Sequence, residues 1–127
     1  MREILFKAKT WGGKWVQGDL IQLQSTTCIH SYENFMRVSD EVDPNTICQF
    51  TGLTDKNGKR IWENDIVTID GKEENFSVDW ENEDDTAMYI LLNYREGIIY
   101  NFDGIYPKDC NVIGNIFDNP ELLEEKR

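Results

Sequence analysis

The feature that most constrains this chain is the alternation of apolar and polar residues, with almost no helical periodicity. Phe76, Val78 and Trp80, for example, alternate with three polar residues, which is typical of a strand with one buried face and its acids in water. Turn residues end such stretches about every ten residues, and Asn57-Gly58 is the strongest hairpin signal among them. Residues 32–37 fit either a loop or one helical turn. The pattern predicts a mainly β protein.

The length of 127 residues suits one domain, and its 39% hydrophobic and 12% aromatic residues are enough for a core. Short strands at this spacing fit a small β-barrel with an additional N-terminal hairpin layer. We expect an N-terminal β region, residues 1–45, packed on a barrel of residues 46–120. Asn119, Pro120 and Glu121 match a cap, a first-turn proline and a dipole-matched acid, and predict one short C-terminal helix.

The net charge of −11 lies wholly in the second half of the chain. Residues 1–64 carry eight basic and eight acidic residues, whereas residues 65–127 carry five and sixteen. Acidic runs are usually solvated loops or outward strand faces. The alternative is a surface for a cationic partner, formed by Glu81, Glu83, Asp84 and Asp85. The acidity argues against direct binding to nucleic acid, which takes a basic face.

Cysteine usage and hydropathy bear on the compartment. Cys28, Cys48 and Cys110 are odd in number and lack CxxC spacing, which is typical of reduced thiols in a cytosol. The N-terminal apolar stretch, residues 4–6, is too short for a signal peptide, and no apolar run is long enough to span a bilayer. We therefore expect a cytoplasmic protein that does not bind membranes.

The three cysteines and the single histidine, His30, are the candidates for a Cys₃His zinc site. Structural zinc sites usually bring their ligands in close pairs, and the chain has one near pair, Cys28 and His30. We therefore expect no metal and no cofactor at Cys28, His30, Cys48 or Cys110. The sequence contains no nucleophile elbow, phosphate loop or EF-hand register, so no catalytic residue is predicted.

Two separated motifs are more specific than an ordinary β sequence. Residues 46–67 read TICQFTGLTDKNGKRIWENDIV, and residues 112–122 read VIGNIFDNPEL. The first resembles the YopX family of phage and prophage proteins, whose hallmark is Gly-Gln-Tyr-Thr-Gly-Leu, Asp-Lys-Asn-Gly-Lys and then Ile-Tyr-Glu-Gly-Asp-Ile-Val. The second is similar to that family's closing motif. The resemblance spans nearly the whole chain and implies an SH3-like barrel, but no activity and no catalytic residue.

Residues of these motifs are interpreted as structural. Asn64 replaces a family glycine, and asparagine is the non-glycine residue that best tolerates the left-handed region, so a backbone constraint is predicted there. Asn57-Gly58 is predicted to form a primed turn with positive φ at both residues, and Thr51-Gly52 a bulge or a close backbone approach. The full predicted set is Gln49, Thr51, Gly52, Asn57, Gly58, Asn64, Gly114 and Asn115.

Trp62, beside Glu63 and Asp65, has two interpretations. It is either a core tryptophan with acids that cap a turn, which is the favoured interpretation, or part of an aromatic recognition surface.

Three hypotheses for the function follow. The first is a non-enzymatic phage or prophage accessory protein that binds an unknown host or phage protein, basic where it meets the acids. The second is an acidic DNA-mimic that engages a host DNA-binding protein. The third is a Cys/His metal-binding protein or an enzyme. Homo-oligomerisation stays open.

Overall fold

The structure, a computed structural model, describes residues 4–83, 86–102 and 107–124, with the backbone alone described at residues 82, 83 and 86. Strands dominate these ranges, which confirms the predicted mainly β fold. The strands are β1 (Phe6–Lys9), β2 (Trp15–Gln22), β3 (Thr27–Glu33), β4 (Met36–Glu41), β5 (Cys48–Thr54), β6 (Arg60–Trp62), β7 (Asp65–Ile69), β8 (Asn75–Glu83), β9 (Thr86–Asn93), β10 (Ile98–Asn101) and β11 (Cys110–Asn115).

The chain divides into two compact units, residues 1–50 and 51–127. The strands form two antiparallel sheets, with the orders β4-β3-β2-β1-β5-β6 and β10-β9-β8-β7-β11. β5 crosses the boundary, because Cys48 and Gln49 pair with β1 and the strand also borders β6. The expected packing of residues 1–45 on a barrel of residues 46–120 stays a prediction.

The first unit is an antiparallel meander of β1 to β4. Its core consists of Ala8, Ile29 and Val42, with Phe6, Val16, Leu20 and Ile47 packed against them. Position 18 in β2 requires glycine, because the backbone of β3 passes so close that a Cβ there would lie 2.1 Å from the carbonyl oxygen of His30. β3 and β4 are joined by Asn34 and Phe35, so the stretch left open between loop and helical turn is a tight hairpin turn.

The second unit buries one face of the five-stranded sheet. Its core consists of Ile61, Val67, Ile69, Phe76, Val78, Tyr89, Leu91, Phe102, Cys110 and Val112. Phe76 and Val78 lie on this face, as the alternation of β8 predicts, and both are fully buried. The strong period-two signal thus identified the inner face of β8.

The opposite face of β8 is also covered, contrary to the prediction that its polar residues lie in water. Ser77 is buried, Asp79 is partly buried and Leu92, in register with Ser77, is buried. The C-terminal segment contacts this side of the unit, since Asn75 Nδ2 donates to the Leu122 carbonyl at 2.7 Å. Alternation predicts which residues share a face, but a segment distant in sequence decides whether that face meets water.

Two further expectations change. Pro120–Leu123 forms a 3₁₀ turn and not an α-helix, and Asn119 makes no side-chain capping bond there. The predicted C-terminal helix is therefore wrong, because the Leu122 and Glu124 N–H groups donate to carbonyls three residues back, at Asn119 and Glu121, which is the 3₁₀ pattern. Among the described strands neither sheet closes into a barrel, so the SH3-like barrel stays a prediction. No helix within the described ranges is both long enough and apolar enough to cross a membrane.

Candidate binding surface

Asp55 ties the β5–β6 hairpin together through its carboxylate. Oδ1 accepts hydrogen bonds from the N–H groups of Asn57 and Lys59, both at 2.9 Å, and Oδ2 accepts one from Val112 at 2.9 Å. Burial alone would raise the pKa of Asp55, but the backbone donors and the Lys59 ammonium hold that pKa below its usual value. Sequence reasoning missed this residue, although an aspartate two positions before Asn-Gly is a recognisable turn-capping signal.

The turn at Asn57-Gly58 differs from the predicted primed turn. Gly58 has a φ of 78°, but Asn57 is not among the residues with positive φ. The Asp55 carbonyl accepts the Gly58 N–H at 3.0 Å, and the Asp55 N–H donates to the Lys59 carbonyl at 2.7 Å. The side chain of Asp55 closes this turn, so a left-handed conformation is needed only at Gly58. Asn57 donates from Nδ2 to Asn111 Oδ1 at 2.9 Å.

Trp62 to Asp65 form the turn between β6 and β7. Asn64 has a φ of 72°, which confirms the predicted backbone constraint. Asp65 Oδ2 accepts the Trp62 N–H at 2.8 Å, and Trp62 and Asp65 are 6% and 2% exposed. Glu63 is partly buried. Trp62 and Asp65 therefore belong to the core and the turn, in agreement with the favoured interpretation of Trp62 and not with the alternative of a recognition surface.

The other motif residues of β5 also have structural roles. Thr51 donates its hydroxyl to the Ile61 carbonyl at 2.7 Å. Gly52 has a φ of 87°, where a side chain would be strained. Gln49 pairs with Phe6 of β1.

The closing motif folds around Asn115. Asn115 Oδ1 accepts the N–H groups of Phe117 and Asp118 at 3.0 and 2.9 Å, and the Asn115 N–H donates to Asn119 Oδ1 at 3.2 Å. Gly114 makes room for this arrangement, because a Cβ there would lie 2.5 Å from Asn119 Oδ1. Both Gly114 and Asn115 are structural, in agreement with their interpretation from sequence.

The two motifs also meet in space. The Ile116 N–H donates to the Asn64 carbonyl at 3.0 Å, and the Asp55 carboxylate and Asn57 amide reach β11, as described above. Residues that carry the family resemblance therefore join the β5–β7 region to the end of the chain. These residues therefore have structural roles.

The thiols and His30 lie in separate environments. Cys28 and His30 share one face of β3, where Arg37 hydrogen-bonds His30 Nδ1. The buried Cys48 thiol donates to the Thr46 carbonyl at 3.3 Å. Burial, with the nearby acids Asp109, Asp70 and Asp55, raises the pKa of Cys110 to about 11. In the part of the chain that the structure describes, no three His, Cys, Asp or Glu residues group as metal ligands.

Two aromatic residues of the second unit are exposed among the described residues, Trp80 and Tyr94, and sequence reasoning assigned Trp80 to the inner face of β8. Trp80 does lie on that face, but it sits beyond the well-covered part of the core and is 46% exposed. It is directly opposite the buried Tyr89 in register, and the two ring centroids are 4.8 Å apart at 70°. This edge-to-face contact fixes the indole while leaving much of it in solvent.

The predicted acidic surface begins beside Trp80. Glu81 is partly buried and pairs with Met88, and Glu83 ends β8. Asp84 and Asp85 lie outside the described residues. On the side of the strand that Glu81 shares, burial raises the pKa of Asp79, and a hydrogen bond from Ser77 partly offsets that rise. The end of β8 thus carries an exposed tryptophan, and Glu81 follows it at the alternate position of the strand.

A second acidic feature of this unit is an open groove of about 250 Å³. Its acidic lining consists of Glu73, Glu74, Glu96 and Glu124. Arg95 also lines the groove, so its charge is mixed. The groove therefore carries both negative and positive side chains, unlike the acidic end of β8.

The sequence matches a known protein family over nearly its whole length. The family described as YopX protein matches residues 6–124. The chain belongs to this family, as the two motifs indicated.

Two individual proteins are also similar to this chain. Protein EF1440 from Enterococcus faecalis, known from a crystal structure, is 21% identical, with a TM-score of 0.55 over 98% of this chain and 100% of that one. At this identity the likeness concerns the fold. Reticulocyte-binding protein homolog 1 of Plasmodium falciparum is 28% identical over 93 residues, 72% of this chain. The chain spans 3% of the length of that protein.

Proposed function

We propose that this protein is a non-enzymatic phage or prophage accessory protein that binds a basic protein partner in the bacterial cytoplasm. The observation that carries the proposal is the exposed Trp80, held against Tyr89 where the acidic stretch of β8 begins. We define the Trp80 surface as Trp80 and Glu81, which follows it in β8; the predicted acids Glu83, Asp84 and Asp85 come next in the sequence.

The chemistry of this surface suits lysine and arginine. An indole face attracts a cation with about 0.5–1 kcal/mol when exposed, and more when the contact is desolvated. The neighbouring carboxylates add long-range attraction, which raises the association rate more than the affinity. Because Tyr89 orders the indole, less side-chain entropy is lost on binding.

The non-enzymatic part of the proposal is supported by the uses found for the polar groups. Asp55, Asp65 and Asn115 are engaged in closing turns. The Cys110 thiol, with its pKa raised to about 11, is almost wholly protonated at neutral pH and a weak nucleophile.

The test compares two tryptophans. Trp80 in the second unit and Trp11 in the first are both exposed, so Trp11→Ala is a matched control for Trp80→Ala. Full-length tagged protein is used to capture partners from host lysate at low and high salt, and the captured protein is then purified and titrated. We expect Trp80→Ala to weaken binding about tenfold, Trp11→Ala to leave it unchanged, and added salt to slow association.

The acids are tested by replacing Glu81, Glu83, Asp84 and Asp85 with Ser or Asn. We expect this variant to lose the partner at low salt; retention of the partner would restore the solvated-loop interpretation. A partner that binds duplex DNA, and is released from this protein by DNA, would favour the DNA-mimic alternative. Full binding by Trp80→Ala would contradict the proposal.

A further inference from the structure

The β3–β4 hairpin of the first unit ends in an apolar tip. Tyr32, Phe35 and Met36 are 75%, 104% and 70% exposed. They lie within five consecutive residues at the turn end of the hairpin. Soluble proteins rarely place several large apolar side chains together in water without a binding role.

The tip is also strained. Glu33 pairs with Met36, which leaves Asn34 and Phe35 as a two-residue turn with φ values of 51° and 65°. Such primed turns favour asparagine at the first position and glycine at the second. A bulky residue in the left-handed region is a genuine outlier. The fully exposed ring of Phe35 gains little from burial within this chain, so the fold does not explain why phenylalanine occupies this position.

We propose that the hairpin tip is a second binding site, in which Phe35 inserts into a concave apolar pocket of a partner protein. Tyr32 and Met36 flank the anchor and bury against the rim of that pocket. A single aromatic anchor in a desolvated pocket commonly carries much of an interface's affinity. This site is separate from the Trp80 surface and does not depend on it.

Charge and size select a protein pocket over other occupants. The basic residue nearest the tip, Arg37, is engaged in a hydrogen bond with His30, whereas Asp19 and Glu33 are acidic. Anionic membranes and nucleic acids require basic residues near an apolar or aromatic anchor. Contact between two tips would bury only three side chains from each copy, well below the roughly 800 Å² per partner of a stable interface. A concave pocket that surrounds the tip buries far more surface of Tyr32, Phe35 and Met36 than a contact between two tips does.

The test uses the full chain with a photoreactive benzoylphenylalanine at position 35, expressed in the host cell. We expect one crosslinked adduct with a single other protein. An excess of unlabelled wild-type chain, or of Trp80→Ala, should suppress this adduct at least tenfold. Phe35→Gly should compete about thirty-fold less well, because it removes the anchor. Asn34→Gly keeps the anchor and should compete like wild type.

Four results would overturn the proposal. The first is no adduct or an adduct between two copies of this chain, and the second is equal competition by Phe35→Gly. The third is binding to phosphatidylcholine or phosphatidylglycerol vesicles that Phe35→Gly abolishes. The fourth is a urea midpoint of Phe35→Gly below that of wild type, since the strained turn should gain stability from glycine. A failure of Trp80→Ala in the partner assay leaves all these outcomes unaffected, so the two proposals can fail separately.

Discussion

The two units differ most in one turn. In residues 51–127, side-chain acceptors hold the turns at Asp55, Asp65 and Asn115. In residues 1–50, Asp43 caps a turn in the same way, but the β3–β4 turn places two adjacent non-glycine residues, Asn34 and Phe35, in the left-handed region. The units also differ in charge: the first has five basic and six acidic residues, the second eight and eighteen.

This comparison indicates where stability and binding reside. The second unit has the larger core and the family motifs, and most motif residues described there form hydrogen bonds or tight turns. Exposed aromatics lie outside those motifs, at Trp80 in the second unit and at Phe35 in the first. Motif residues therefore hold the fold, and the two surfaces that we propose for recognition lie outside the motifs.

The largest contrast is expected between two phenylalanines. Phe76 is fully buried in the second unit, and Phe35 is fully exposed in the first. Phe76→Ala should lower the free energy of unfolding by about 4 kcal/mol, because it removes buried area and leaves a cavity. Phe35→Ala should change it by less than about 0.5 kcal/mol. Urea denaturation followed by circular dichroism measures both, and similar losses would contradict the comparison.

The next effect concerns Asp55. Asp55→Asn should lower the free energy of unfolding by about 3 kcal/mol, because an amide cannot accept the N–H groups of Asn57, Lys59 and Val112 on both of its atoms. Asp70→Asn is the control. The Asp70 carboxylate forms an exposed ion pair with Lys56, so this substitution should lower the free energy of unfolding by less than about 0.5 kcal/mol. Equal urea midpoints for the two variants would refute the role of Asp55.

Asp55 also makes a prediction about pH. Its folded pKa lies below the unfolded value of about 3.9. Its contribution is therefore complete above that unfolded value and is lost as the pH falls through the folded pKa. The stability curves of wild type and Asp55→Asn should approach each other only in this acidic range. If the difference in stability between wild type and Asp55→Asn vanished near neutral pH, it would not come from the charge of Asp55.

A smaller effect is expected at Asn64. Asn64→Ala should lower the free energy of unfolding by about 1 kcal/mol, because alanine tolerates a φ of 72° poorly. Asn64→Gly should be close to neutral, since glycine adopts this conformation freely. Thermal or urea midpoints decide between a backbone and a side-chain requirement. A glycine variant as unstable as the alanine variant would assign the role to the side chain.

The smallest effect has the opposite sign. Burial raises the pKa of Asp79, so its charged form destabilises the fold above that raised value. Asp79→Asn should therefore stabilise the protein by up to about 1 kcal/mol at pH 7. The gain should shrink as the pH falls through the folded pKa towards the unfolded one. Urea midpoints at pH 7 and pH 4 measure the change, and a loss of stability at pH 7 would contradict it.

Local sequence patterns predicted those features of the fold that neighbouring residues in the chain determine. The alternation of Phe76 and Val78 identified the inner face of β8, and Asn64 revealed its left-handed backbone. The C-terminal helix was wrong because Asn119, Pro120 and Glu121 favour a helical start, while the chain beyond them continues as a 3₁₀ turn. A start signal fixes the first residues only, and it does not fix the length.

The candidate surface was predicted less well, because exposure is a property of the whole fold. Trp62 and Trp80 are both tryptophans beside acids in apolar strands. Trp62 lies in a turn that is buried, and Trp80 lies past the covered part of the core. Nothing local to either tryptophan distinguishes these environments, so the sequence left two interpretations of Trp62 open and assigned Trp80 to the inner face of β8.

The sequence by itself determined the mainly β class, the family and the location of the negative charge, because residue periodicity, motif order and composition do not depend on folding. Tertiary structure decided that the Asp55 carboxylate also binds Val112, which face of β8 the C-terminal segment covers, and which aromatics remain in solvent. Each of these depends on contacts between residues far apart in the chain. Such contacts form only when folding brings together segments whose separate sequences do not specify their partners.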